Sequence, residues 1–373
     1  MKRNLNIMRG KDVALPFIVA GLMLLGLIMI YSASQYYAYQ KLYNNNPAYF
    51  FTRQCAFGAL GLIAMVIVAQ IDYRWWQRLA IPVMMVVLLM LIAVSVLGES
   101  RFFVGDSVQP SEPSKLGAII YIAAWLVSKG DRIEQASYGV IPFAIITGVI
   151  AGLIMAQPDL STALIVIVTT VVMFFIAGVQ VKQLVLLGVF GSATLVVLIR
   201  TLGQEYQAGR FEDWWPFSGA QRGGWLGVHS SAALRNGGFF GVGLGQSEGA
   251  PILRPLAHTD AIFGILGEEL GFVGALLVLG LFASLAYRGY RIAMHASDQF
   301  GMLLAAGVTT QLVIQAAIHV GVCMFLFPET GVTLPFVSYG GSSLVTSLVG
   351  IGLLLSVSRG SQGLSLEWQE ETL

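Results

Sequence analysis

Ten mostly apolar stretches, each near the roughly 20 residues needed to cross about 30 Å of hydrocarbon, recur along this chain. They fall near 13–31, 49–69, 79–97, 114–127, 138–155, 160–176, 181–199, 260–287, 300–325 and 342–357. A backbone inside lipid must satisfy its own hydrogen bonds, so the expected fold is all-α: a polytopic membrane protein of ten transmembrane helices. The whole chain, 1–373, reads as one integral membrane domain. Composition agrees, because 56% of residues are hydrophobic and 11% charged, against about 25% charged in soluble domains. A soluble enzyme is excluded. With 21 Lys+Arg against 20 Asp+Glu, no basic excess points to nucleic acid. Cys55 and Cys323 sit in apolar runs and read as small hydrophobes, not as a bridge.

Charge in alternate connections sets the expected orientation. With cytoplasmic termini, the inside holds 12 of the 21 cations and 8 of the 20 acids, a balance of +4 inside against −3 outside. Both termini are therefore expected in the cytoplasm. Ser32-Ala33-Ser34 resembles a cleavage site, but the preceding run of about 19 residues exceeds a signal-peptide core and reads as a retained helix. One long outer loop, about 200–259, separates spans seven and eight. It carries Trp214, Trp215, Trp225 and Phe239-Phe240 among glycines and arginines, the mixture of a segment at the membrane interface. The fourth span is short and is expected to extend outward through the polar residues Ser111 to Lys115, which need a cavity or partner.

Ionisable groups at membrane depth mark function by default, and here their sidedness is informative. Glu112, Lys115, Asp159, Asp260 and the run from Ser338 to Ser343 all map to the outer ends of spans four, six, eight and ten. The cytoplasmic connections carry ordinary positive-inside charge. Lys115 beside Asp260 reads either as a structural ion pair or as chemistry. In the second reading a carboxylate in a partly dry groove takes a proton from a sugar hydroxyl, and a nearby cation stabilises a departing phosphate. Glu268 and Glu269 lie eight and nine residues beyond Asp260. On a continuous helix that places Glu268 on the side of Asp260, about 12 Å deeper, with an interhelical hydrogen bond as its expected role. Gln311, Gln315 and His319 form an i, i+4, i+8 stripe that must face the bundle interior. His319 has no second ligand at metal spacing. No nucleotide-binding P-loop, HExxH or GxSxG motif occurs.

Six segments then come into view together: YSAS at 31–34, QPSEPSK at 109–115, QPDLSTA at 157–163, GGFFGVGLGQS at 237–247, HTDAIFGILGEELGF at 258–272 and PETGVTLPFVSYGGSS at 328–343. In order and spacing, over nearly the whole chain, they resemble the SEDS family (shape, elongation, division and sporulation) of bacterial peptidoglycan polymerases. The resemblance implies an inverting glycosyltransferase that joins lipid II into glycan strands outside the cytoplasmic membrane, with lipid pyrophosphate leaving. It implies Asp260 as the catalytic base, and no covalent intermediate is required. Glu112 and Lys115 match the family's SExxK element and Asp159 its QPD element. Arg210, His258, Ser338 and Ser342 complete the expected substrate contacts. A divalent cation, Mg2+ or Mn2+, bridging Asp260 to the pyrophosphate is a further expectation. The expected partners are a class B penicillin-binding protein supplying the transpeptidase, and other membrane proteins of the divisome or elongasome. Departures are Pro113, Ser161, Ala261 and His319 at places where the family often has other residues. TGVTLP together with AHTD is closer to the division type than to the elongation type. A competing class is a lipid II flippase, which would need its charged site near the bilayer midplane instead of at one surface.

Overall fold

The computed structural model describes residues 12–40, 46–97, 109–157, 159–189, 191 and 224–370, and no strand occurs among them. In chain order the helices are α1 (Ala14–Gln40), α2 (Tyr49–Gln70), α3 (Tyr73–Arg78), α4 (Ala80–Leu97), α5 (Ser111–Lys129), α6 (Val140–Met155) and α7 (Leu160–Ile176), followed by α8 (Trp225–Asn236), α9 (Gly249–Leu253), α10 (Ile262–Met294), α11 (Gln299–Cys323) and α12 (Gly341–Glu370). Nine of the ten apolar stretches coincide with a helix. The seventh is helical over 181–189 and lies outside the described residues beyond 191. Five helices (α1, α2, α10, α11 and α12) are each long and apolar enough to cross a membrane. The chain is a multi-pass membrane protein, all-helical among the described residues.

Burial sorts the helices into an inner and an outer set. Within their apolar windows α11 is 72% buried and α12 78%, against 39% for α1 and 28% for α2. The outer set therefore meets lipid with apolar side chains such as Phe17, Leu24, Leu60 and Ile63. Because lipid is as apolar as leucine, helices here associate through close packing of small residues. A Cβ on Gly61 of α2 would lie 2.5 Å from Leu348 of α12, and one on Gly352 would lie 2.7 Å from the Met65 carbonyl. A second apolar cluster, including Met84, Leu91, Ile150, Ile154 and Val166, joins α4, α6 and α7. As expected, α5 reaches past its apolar core to Ser111.

α10 is broken. Gly271 has φ 70° and ψ −169° inside it, so the hydrogen-bond ladder stops there. The expectation of one continuous eighth helix starting at Asp260 is therefore corrected: Asp260 lies in the turn before Ile262, and a short half-helix over 262–270 precedes the break. Unpaired backbone groups at membrane depth cost several kcal/mol each. The upstream glycine-rich segment 237–243 supplies their partners. Val242 and Gly243 donate to the carbonyls of Glu268 and Glu269, each at 3.0 Å, while Phe272 and Val273 donate to the carbonyls of Gly238 (3.0 Å) and Phe239 (3.3 Å). The two backbones touch: a Cβ on Gly241 would lie 2.2 Å from the Glu269 carbonyl oxygen, and one on Gly271 2.3 Å from the Gly241 nitrogen.

At the end of the bundle that holds the first described residue, Asp12 pairs with Arg288 at 2.7 Å. Asp298 caps α11 through the Gly301 amide at 2.8 Å and accepts from Tyr73 at 2.7 Å and Arg74 at 3.1 Å. Burial, followed by that hydrogen bond, pushes the Tyr73 phenol up to about 12. Cys55 and Cys323 are both free thiols, as expected.

Candidate active site

The opposite end of the bundle gathers the polar residues singled out in the sequence. Asp260 occupies a turn that is fixed through three successive carbonyls. That of His258 accepts from the Tyr339 amide (2.9 Å), that of Thr259 from the Ser338 hydroxyl (2.8 Å), and that of Asp260 from the Cys323 thiol (3.5 Å). Ser338 also accepts from the Leu334 amide at 2.8 Å. From α2, Gln54 donates to the Ser338 carbonyl (3.1 Å) and accepts from the Gly340 amide (3.3 Å). The half-buried Asp260 side chain faces the segment joining α11 to α12, where a Cβ on Gly331 would lie 3.9 Å from Oδ2.

His258 is almost fully buried against Phe50, Tyr339 and Tyr37, with ring centroids at 4.3, 5.5 and 6.1 Å. Burial lowers its pKa to about 4, so the imidazole is neutral at physiological pH. Its Nδ1 has no hydrogen-bond partner among the described residues. A neutral ring packed among aromatics fixes the turn; it is not a ready cation for a phosphate.

Lys115 is 2% exposed, and its ammonium lies 2.9 Å from Glu112 Oε2 and 2.8 Å from Gln315 Oε1. The resting ion pair is thus with Glu112, one turn back on α5, and not with Asp260. Gln315 passes the contact on, donating to the Thr333 carbonyl at 2.9 Å, and the Thr333 hydroxyl bonds Ser343 at 2.7 Å. One turn further along α11, His319 Nδ1 meets the Val332 carbonyl at 2.7 Å. The stripe Gln311, Gln315, His319 faces inward as its spacing requires, and it holds the 332–333 backbone that walls off Asp260. Ser342 stands half-buried on the first turn of α12, beside Ser343.

Asp159 caps α7 through the Thr162 amide at 3.1 Å, and its second oxygen accepts from Gln109 and Ser111, both at 2.8 Å. With three donors the side chain ties the starts of α5 and α7 together, which satisfies the polar outer end of the short fourth span. Arg210 lies outside the described residues, as do Trp214 and Trp215.

The two glutamates beyond the turn lock helices, as their expected interhelical role requires, but on different partners. Glu268 accepts from Asn236 at 2.7 Å, from Ser247 and from the Gly249 amide at 3.1 Å, while both oxygens of Glu269 lie within 2.8 Å of the Ser32 hydroxyl. One residue escaped the sequence reading. Glu329, in the segment joining α11 to α12, accepts from the Leu226 amide and from the Gly227 amide at 3.4 Å, and so caps α8. Its signal, an acid in PETG with no topological purpose, was present. Its partner lies about a hundred residues upstream and could not be inferred.

A family model described as cell cycle protein (FtsW, RodA and SpoVE) matches residues 13–363. The chain belongs to the FtsW/RodA/SpoVE family. Members of this family that it resembles include a probable peptidoglycan glycosyltransferase FtsW of Trichlorobacter lovleyi, 36% identical over 359 residues that cover 94% of this chain and 93% of the relative. Stage V sporulation protein E of Bacillus subtilis is 38% identical over 361 residues, covering 94% and 98%. Among solved structures, a chain of a peptidoglycan synthase complex, described as coordinating polymerization and crosslinking, superposes with a TM-score of 0.76 at 28% identity, covering 94% and 98%. A mutant of the rod shape determining protein RodA of Thermus thermophilus gives 0.69 at 29% identity with the same coverage.

Proposed function

We propose that this FtsW/RodA/SpoVE family member is a peptidoglycan glycosyltransferase that polymerises lipid II at the outer face of the cytoplasmic membrane, in division or elongation, with Asp260 as general base. The observation that carries the reading is the way the Asp260 turn is held, by backbone carbonyls tied to α11 and to the Ser338 loop, on the same end of the bundle as a buried lysine. In a ten-span reading, the positive-inside balance supports both termini in the cytoplasm and that end of the bundle outside.

In this reading a hydroxyl of the acceptor sugar attacks the anomeric carbon of the donor. Its proton passes to the Asp260 carboxylate as the new glycosidic bond forms, and the bond from that carbon to the diphosphate oxygen breaks, its electron pair leaving with the lipid pyrophosphate. The carbon inverts, so one carboxylate suffices. Lys115 stabilises the departing charge by exchanging Glu112 for diphosphate, as a charge-assisted contact to a phosphate oxygen. Asp159, Ser338 and His258 hold the walls. Arg210 and Ser342 are proposed substrate contacts. Mg2+ or Mn2+ fits in one mode: Asp260 offers one carboxylate, no group of three His, Cys, Asp or Glu side chains gathers among the described residues, and such ions are commonly held by one or two carboxylates plus substrate phosphates. Bound so, the ion would neutralise the leaving group.

The partner is proposed to be a class B penicillin-binding protein, consistent with the complex among the structural relatives. The test is polymerisation of lipid II by the purified chain together with that partner, with and without EDTA, comparing wild type with Asp260→Asn. Glycan strands from wild type alone support the base. Equal strands from both would falsify it, and lipid II crossing sealed vesicles without ever polymerising would replace the enzyme by a transporter.

A further inference from the structure

The two walls beside Asp260 are joined by α8. At its start, the Glu329 carboxylate receives the Leu226 and Gly227 amides, seating the loop that carries Gly331, the residue facing Asp260. The seat is shaped for it: a Cβ on Gly224 would lie 2.7 Å from Glu329 Oε1, and one on Gly227 would lie 2.4 Å from the Phe325 ring. At its last residue, Asn236 donates to Glu268 at 2.7 Å, on the half-helix that begins two residues after Asp260. Between the ends the contact is continuous, since a Cβ on Gly264 would lie 2.1 Å from Ser230 Oγ and one on Gly267 2.2 Å from Leu234. α8 is also the first helix described within the long loop.

We propose that α8 is a strut pinned at its two ends by Glu329 and by the Asn236–Glu268 bond, and that Glu329 is a positioning residue holding the Gly331 wall in register with Asp260. A carboxylate on two amides at a helix start is matched to the positive end of the helix dipole, so the pin is directional as well as steric. Position matters at this site because a displacement of about 1 Å at a reacting centre costs up to about a hundredfold in rate. The proposal rests on Asp260 being the base. A strut makes a distinctive statement about the two pins: once either is lost, losing the other changes little.

The test compares Glu329→Ala, Asn236→Ala, the double variant and Glu329→Gln in the full-length chain. Asn236 is exposed, and Glu268 keeps two other donors without it, so this variant is expected to fold. In lipid II polymerisation with the partner, each alanine variant is expected to lose about tenfold in kcat with KM within about twofold, a tenth of the largest misplacement effect. The double is expected to match the worse single, and Gln, which keeps an acceptor oxygen, to recover most of the loss. Multiplying losses in the double, or an unchanged Glu329→Ala, overturns the strut. A Gln variant as poor as Ala assigns Glu329 to the chemistry and overturns the positioning role. Hydrogen exchange without substrate supplies a readout independent of the reaction. Faster exchange in Glu329→Ala at both 226–228 and 331–334 supports the pin. Faster exchange at 226–228 alone overturns it even if the chain polymerises nothing.

Discussion

The buried pair of Lys115 and Glu112 separates architecture from chemistry in one set of variants. Lys115→Met keeps the length of the side chain and removes the ammonium, leaving the Glu112 carboxylate, 9% exposed, without its counter-charge at 2.9 Å. Breaking a buried pair from one side costs about 3–5 kcal/mol, because the surviving charge is neither hydrated nor paired. Loss of the donor to Gln315 adds about 1 kcal/mol. Adding Glu112→Gln removes the stranded charge and should recover all but about 1–2 kcal/mol, the ordinary worth of the lost hydrogen bonds. Unfolding followed by tryptophan fluorescence in an SDS titration reads stability, and lipid II polymerisation with the partner reads chemistry. The expected pattern is an unstable, inactive single variant and a stable, inactive double variant. A single variant as stable as wild type refutes the burial argument. A double variant that polymerises normally removes Lys115 from the reaction and leaves it a structural residue.

Other substitutions follow from particular contacts. Asp159→Ala removes the α7 cap and two links to the start of α5, and should destabilise the chain by about 1–3 kcal/mol; Asp159→Asn, which keeps an acceptor, should lose less in the same SDS titration. Gly271→Ala meets a positive φ and a backbone nitrogen at 2.3 Å, so the splice with 237–243 should open, read as faster hydrogen exchange at Val242 and Gly243. Wild-type exchange at those amides in this variant would remove the glycine requirement. Tyr73 is neutral in the fold up to about 12, against 10 when unfolded, so its contribution is complete below pH 10 and fades as pH rises from 10 to 12. Melting temperatures measured across that window should fall for wild type, and fall less for Tyr73→Phe, which starts lower.

Much of this was legible from residue spacing alone. The inward stripe of Gln311, Gln315 and His319 and the polar start of α5 each follow from helical period and from the cost of polar groups in lipid. What escaped depends on partners distant in sequence. The sequence around Asp260 reads as the first turn of a continuous helix because nothing near Gly271 announces a break; the groups that stabilise the break belong to residues 237–243. Lys115 could be placed at the right end of the bundle, but the choice between Glu112 and Asp260 required knowing which way α5 turns relative to α10. The described part of the long loop is not an open connection either, since α8 and α9 pack back onto α10, and the spacing of small residues at 224, 227, 264 and 267 has meaning only once the two helices are side by side.

The splice at Gly271 also bears on how the chain is made. A straight α10 would satisfy the amides of its 33 residues internally, whereas the break takes its backbone partners from outside the helix. Residues 237–243 precede α10 in the chain and so leave the ribosome before it. The four bonds that splice the break cannot form until that segment lies against both sides of Gly271. The Asp260 turn would thus take its final place after insertion, and a newly inserted chain would carry a complete set of spans before it carries a site.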